Sequence, residues 1–396
     1  MAIAARTENP NGCRAAAWHD TKRYAWLLGL AIPMLPLLAG SLVKATGWSL
    51  FWWFGPIFIF GIVPALDTLI GKDSGNPPDS VIDSLERDRY YRWCVYLFLP
   101  LQLASLVWAC AKWSSGTLSA IDSFGFAVTL GVVGGVGINA AHELGHKSER
   151  AERWLSKVTL AQTAYGHFFV EHNRGHHVRV ATPEDPASSR LGESFWAFLP
   201  RTVAGSLASA WEIERSRLQR KGKPALCIQN DAINAWAMTA ALFGALLGIF
   251  GLSILPWLLI QAVVGFSLLE VVNYLEHYGL ARQKRPDGRY EPCAPRHSWN
   301  ANNVASNVLL YHLQRHSDHH AYPSRRYQAL RSFEEAPELP SGYGTMAVIA
   351  LITPLWRRVM DPKVIAHYGG DLSLANVHPP KRKKYGLQQG ERCAGS

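Results

Sequence analysis

Six stretches of this chain are apolar for about twenty residues each, and that property excludes most folds. They are residues 24–43, 48–70, 92–111, 118–141, 232–253 and 255–277. A helix of roughly 20 residues crosses the ~30 Å hydrocarbon core of a bilayer. Buried core helices of a soluble enzyme are the alternative. Against it stand six such runs with Tyr24, Trp48, Tyr90, Trp113, Trp257 and Tyr278 near their ends, in the manner of an interfacial aromatic belt. The expected fold is all-α: a polytopic membrane protein of six transmembrane helices, with a helical and loop cap from the polar segments 142–231 and 278–396. Residues 1–396 read as a single membrane-embedded unit, without internal repeats.

Charge orients the spans. Arg6, Arg14, Lys22 and Arg23 precede the first run, Lys72, Arg87 and Arg89 lie between the second and third, and both polar segments are rich in Lys and Arg. The other connections hold little beyond Lys44 and Lys112. By the positive-inside rule, both termini and both polar segments are cytoplasmic. The net charge of +10 therefore requires no nucleic acid. Basic loops lie against anionic headgroups, and can also receive an acidic protein partner. Residues 1–23 are too polar for a cleavable signal peptide. Cys13, Cys94, Cys110, Cys227, Cys293 and Cys393 form no C-x-x-C pair, so neither disulfides nor a thiolate metal site is expected.

Chemistry concentrates in the histidines. His142 and His146, in "AHELGHK", are spaced i, i+4 where the fourth run meets the polar side. His172, His176 and His177 follow in "EHNRGHH", His277 in "NYLEHYGL", and His316, His319 and His320 in "LQRHSDHH". These nine fall at one membrane face in the topology read from charge. One ion accepts about four to six ligands, so nine suit two ions better than one. His142-Glu143-x-x-His146 is the zincin pattern with Glu143 as base, but a zinc protease leaves seven histidines unused. A carboxylate-rich di-iron bundle needs a second E-x-x-H, which the other clusters lack. Metal transport would spread ligands through the bilayer depth rather than gather them at one face. Imidazole suits Zn, Cu, Fe and Ni, so spacing does not name the metal; paired ions at a membrane face without carboxylate bridges point to redox-active iron.

Helical phase nominates supporting residues. Asn139 lies one turn before His142, Asn273 one turn before His277, and Glu270 a further turn back, within the span. An intramembrane carboxylate is costly, and Glu270 is expected to accept a hydrogen bond from a ligated imidazole or bind beside it; the alternative is a helix-packing bond. His312 is four residues before His316 and is expected to share its face; Asp185 lies near the second cluster. Glu171, Glu276 and Asp318 are adjacent to candidate ligands in sequence and, pointing about 100° away on a helix, receive no role. His167, His297 and His367 are read as structural. Gly131, Gly134, Gly135 and Gly137 read as a close-packing face in the fourth run rather than a tunnel wall.

At these positions the sequence resembles the integral-membrane alkane hydroxylases. "HELGHK", "EHNRGHH", "NYLEHYGL" and "LQRHSDHH" stand in that order, joined by "RDRYYR" at 87–92, "YGHFFVEHN" at 165–173, "ATPEDPASSRLGES" at 181–194 and "MDPKV" at 360–364. Single boxes are shared with membrane desaturases and other hydroxylases, which are the nearest alternative. The resemblance implies a non-haem site of two iron ions held by the nine histidines, in a multi-pass protein of the bacterial inner membrane. It implies terminal hydroxylation of medium-chain n-alkanes to 1-alkanols with O2. Electrons would come from NADH through a reductase and rubredoxin, and with no C-x-x-C pair here the rubredoxin iron lies outside this sequence. Ile59 and Phe60, in the aromatic second run with Trp52, Trp53, Phe54 and Phe58, are the candidates for the end of the alkane pocket.

Overall fold

The computed structural model describes residues 18–387, so Arg6, Arg14, Cys13 and Cys393 lie outside the described residues. Among the described residues the protein is helical, with only isolated bridges such as Lys72 to Asn303 between extended segments. Six of the described helices are long and apolar enough to cross a membrane: α1 (Ala25–Thr46), α2 (Ser49–Ile70), α3 (Arg89–Ser114), α4 (Ala120–Gly145) and, after a polar segment, α7 (Asp231–Phe250) and α8 (Leu252–His277). The two longer intervening helices are α5 (Arg150–Ala161) and α6 (Phe195–Gln219), with a short helix, Phe168–Arg179, between them. Beyond α8 come a largely irregular segment and then α9 (Tyr343–Leu351) and α10 (Thr353–His367). The chain is a multi-pass membrane protein with a helical and loop cap.

Polar caps fix several helix starts. α3 begins a turn earlier than its run because Asp88 Oδ1 accepts the Tyr90 amide at 2.9 Å. α4 starts where Ser119 Oγ accepts the Asp122 amide at 3.1 Å, and it continues past its run to Gly145. α7 is capped by Asn230, whose Oδ1 accepts the amides of Ala232 and Ile233 at 2.9 and 3.2 Å.

α4 is the buried central helix, and its glycines explain how it can be. A Cβ on Gly131 would stand 2.4 Å from the Val264 side chain and 3.0 Å from the Gln261 carbonyl of α8. A Cβ on Gly135 would meet Leu268 at 2.7 Å. The glycines let α4 and α8 approach closely along this stretch. Gly135 has a second position, on the wall of an apolar cavity between these helices.

α2 is irregular. It opens as a tight 3-10 turn (Ser49–Trp53) and contains a wide π-turn (Phe58–Ile62), with Pro56 and Pro64 in the same helix. Proline removes an amide donor from the ladder, and local re-winding is the usual accommodation. The wide turn carries Ile59 and Phe60 to the cavity wall.

The cap is tied to the spans by buried polar groups. Arg315, 1% exposed, donates from Nη1 to the Leu330 carbonyl at 2.7 Å and from Nη2 to the carbonyls of Asp73 and Gly75 at 3.0 and 2.9 Å. Arg326 pairs with Glu152 of α5 at 3.1 Å. These links fix the segment that carries the last histidine cluster. Cys94, Cys110, Cys227 and Cys293 are free thiols.

Candidate metal centre

Four chain segments deliver imidazoles to one place. His142 is on the last turn of α4, and His146 follows immediately where that helix stops. His277 ends α8. The second cluster lies on a short helix whose middle, His172–His176, is a π-turn. That wider turn places His172 and His177 on one side, Nε2 to Nε2 3.0 Å apart, and turns His176 to the other. The last cluster opens a short helix, His316–Ala321, where His316 and His320 at i, i+4 bring their Nε2 atoms to 2.8 Å. His319 faces away from that pair, 2.8 Å from His142 Nε2 and 3.1 Å from His177 Nε2.

The nine imidazoles thus divide into two groups: His142, His146, His172, His177 and His319, and His176, His277, His316 and His320. Within each group the inward nitrogens lie within 4.8 Å of one another. The groups touch, with the His177 and His320 rings 4.5 Å apart between centroids.

The donor set fits a metal ion in each group. Burial holds His146, His172, His177, His316, His319 and His320 well below the usual imidazole range, so each ring is neutral with a free lone pair. Converging lone pairs repel unless a cation lies between them. His146 Nε2 and His176 Nε2 are buried without any hydrogen-bond partner among the described residues, as metal-binding nitrogens are. Neutral imidazole is the ligating form for Zn, Cu, Fe and Ni.

Asp185 supports the centre directly. Its Oδ2 lies 2.8 Å from His176 Nδ1, which leaves Nε2 facing inward. Asp185 is itself fully buried, and its Oδ2 also accepts the Ser188 hydroxyl at 2.6 Å.

The remaining sequence candidates have other partners. Asn139 donates from Nδ2 to the Leu310 carbonyl at 2.7 Å and lines the apolar cavity. Glu270 accepts from the Tyr165 hydroxyl at 2.8 Å, the Thr202 hydroxyl at 2.9 Å and Asn273 Nδ2 at 3.2 Å, and no imidazole bonds to it among the described residues. These residues lie a turn or more below the ligands along their helices, and meet the polar atoms at that depth instead. His312 departs furthest from expectation. Tyr311 and His312 have φ of 50° and 55°, so no helix relates His312 to His316. Its Nδ1 lies 2.9 Å from the Tyr327 carbonyl, and its ring rests edge-on to Trp26 at 4.6 Å.

Among the residues denied a role by adjacency, Glu276 is the one the site claims. Its Oε2 lies 3.1 Å from His316 Nε2, and its Oε1 accepts from the Tyr343 hydroxyl at 2.7 Å. The signal was out of reach of spacing, because both partners belong to later segments. Glu143 instead pairs with Lys147 at 3.0 Å, Glu171 with Arg179 at 3.1 Å, and Asp318 with Arg325 at 2.6 Å. His297 holds the Ala294 amide on Nδ1 at 2.9 Å, away from the centre.

An apolar cavity lies between α2, α4, α8 and α9, lined by Ile59, Phe60, Val63, Leu268, Leu269 and Tyr343 among others. A second apolar cleft shares Phe60, Leu268 and Ala347 with it and reaches Trp196, which is 59% exposed.

Residues 123–350 match the fatty acid desaturase family. The chain is 48% identical to an alkane 1-monooxygenase of Acinetobacter baylyi, over 94% of this chain and 92% of the relative. It is 43% identical to an alkane 1-monooxygenase of Ectopseudomonas oleovorans, over 96% and 95%. A xylene/toluene monooxygenase hydroxylase component of Pseudomonas putida is 26% identical over 66% of this chain and 70% of its own length.

Proposed function

The chain belongs to the alkane 1-monooxygenase family and is an alkane-hydroxylating membrane enzyme, and from that premise we propose that it converts medium-chain n-alkanes to 1-alkanols at two iron ions. The observation that carries this reading is a chain of side chains that links an apolar cavity to the histidine groups. Tyr343 lines the cavity while its hydroxyl reaches Glu276, whose other oxygen approaches His316. Bound by His142, His146, His172, His177 and His319 on one side and His176, His277, His316 and His320 on the other, iron supplies the reduction of O2 and the oxidation of a C–H bond.

The protein's part is positioning and dryness. The cavity walls are aliphatic and aromatic, so an extended alkyl chain replaces water there with favourable burial of about 0.8 kcal/mol per methylene. With Ile59 and Phe60 at the α2 wall, a chain of limited length presents its terminal methyl to the centre. Asp185 orients the His176 ring so that Nε2 points inward. The cleft reaching Trp196 supports entry of substrate from the lipid, where alkanes concentrate.

Six spans would leave the two polar segments on one side of the membrane. The lysines and arginines of those segments support a cytoplasmic orientation at the bacterial inner membrane, and a basic surface suits an acidic electron carrier. We assign that role to rubredoxin, reduced by an NADH-dependent reductase.

The test is product analysis on purified, iron-loaded protein with reduced rubredoxin, O2 and octane, alongside a fatty-acyl substrate. 1-Octanol is expected. An alkene from the acyl substrate with no alkanol overturns the reading, and a subterminal alcohol overturns its regiochemistry.

A further inference from the structure

We propose that Glu276 is a tenth protein donor at the metal centre, completing the four-histidine group, and that Tyr343 is its positioning residue. The two groups are unequal, five imidazoles against four, and Glu276 stands at the smaller one.

Geometry places the carboxylate on the metal side of the ring. The atom that Glu276 Oε2 approaches at 3.1 Å is His316 Nε2, the same nitrogen that lies 2.8 Å from His320 Nε2 and 3.3 Å from His277 Nε2. Two donors about 2.1 Å from one ion, at right angles to each other, are about 3.0 Å apart. The oxygen is therefore spaced from His316 as the neighbouring imidazoles are. Asp185 is the contrast: it meets Nδ1 of His176, on the edge turned away from the group, and orients that ring from behind.

Charge points the same way. Glu276 is 1% exposed, and no lysine or arginine pairs with it among the described residues. Other buried carboxylates near the centre have such a partner or a full set of donors: Lys147 for Glu143, Arg179 for Glu171, and Tyr165, Thr202 and Asn273 for Glu270. Among the described residues Glu276 has one donor, the Tyr343 hydroxyl on Oε1. Its Oε2 faces a nitrogen that cannot donate once it binds metal. A buried anion in that position requires a cation, and the group of histidines provides the place for one.

Tyr343 fixes which oxygen is free. Its backbone is held by the Gln314 side chain, whose Oε1 accepts the Tyr343 amide at 3.1 Å, and its ring lines the alkane cavity. A hard oxygen donor also shifts a site of four imidazoles away from copper and toward iron.

This inference rests on the two-metal reading above, and the experiment separates them. Wild-type protein loaded anaerobically with Fe(II) is challenged with a chelator, and retained iron is counted; a Co(II)-loaded sample gives the visible ligand-field spectrum. Fewer than about two ions per wild-type chain defeats the two-metal reading itself. With that satisfied, Glu276→Gln, which still accepts from Tyr343, is expected to release one of the two ions at least about ten-fold faster and to change the cobalt spectrum. Tyr343→Phe should keep both ions at rest and release the same ion a few-fold faster. E276Q protein with wild-type release and an unaltered cobalt spectrum overturns the proposal. If E276Q does not fold, Glu276→Asp decides: a shortened carboxylate at the metal shifts the cobalt bands, and unshifted bands overturn it.

Discussion

Ile59→Ala should move the enzyme toward longer alkanes, and the size of the shift can be worked out. Ile59 is 5% exposed and lies on the cavity wall within the wide turn Phe58–Ile62. The backbone there is pinned: a Cβ on Gly344 would stand 2.7 Å from the Ile59 carbonyl oxygen, so α9 already packs against it at closest approach. Truncation should therefore leave room rather than let α2 collapse inward. The substitution removes about three carbons of wall, and each methylene newly buried contributes about 0.8 kcal/mol. An alkane three carbons longer gains up to about 2.4 kcal/mol, roughly 50-fold in relative kcat/KM. Partial relaxation of Phe60 and Val63 reduces this, and about ten-fold is the working expectation. The assay is direct competition between octane and undecane, with the two alkanols quantified and iron per chain measured in parallel. The ratio of products gives the ratio of kcat/KM values regardless of how much enzyme is active. A ratio within about two-fold of wild type in both Ile59→Ala and Phe60→Ala, at full iron content, refutes the assignment of this wall to chain length.

Asp185→Asn should weaken metal retention about 10- to 100-fold while leaving the fold intact, because His176 loses the carboxylate that orients it; chelator competition reads this, and unchanged retention contradicts it. Arg315→Leu should destabilise the protein by about 3–5 kcal/mol, since three backbone carbonyls lose a buried charged donor, and Arg315→Lys should recover little because an ammonium cannot fork across them; thermal unfolding in detergent measures both. Acid should destabilise the protein through histidines that are not in the two groups. Burial lowers His167 and His297 to about 4, and burial, with Arg315 and Lys22 nearby, holds His312 well below 6.5. Their folded values are depressed, so the unfolded chain binds more protons below about 6.5. Their stabilising contribution is complete above that pH and is lost as pH falls toward 4, by up to about 1.4 kcal/mol per pH unit for each group. A flat stability profile between pH 7 and pH 5 would contradict this.

What the sequence discloses and what it hides divide along a physical line. The spans were legible because hydrocarbon thickness imposes their length whatever they pack against, and a cap such as Asp88 moved an end by about a turn. The gathering of histidines was legible because i, i+4 spacing survives in any helix. Their division was not: a π-turn sends His176 to a different group from His172, four residues away, and no spacing rule for an α-helix anticipates that.

Phase arguments fail in proportion to how far they leave continuous helix. Asn139 and Glu270 do lie below the ligands, but a polar side chain at that depth bonds to whatever the opposing element offers, here the Leu310 carbonyl and the hydroxyls of Tyr165 and Thr202. His312 fails outright, because the two residues of positive φ before the last cluster abolish the helix that the argument assumed. Glu276 fails in the opposite sense. A carboxylate beside a ligand on a helix does point about 100° away from it, which was the reason to dismiss it. In a centre assembled from four segments, turning away from His277 is what brings Glu276 to His316. Adjacency to one ligand thus excludes a role only at that ligand, and a buried carboxylate without a cationic partner is the observation that reopens the question at the next.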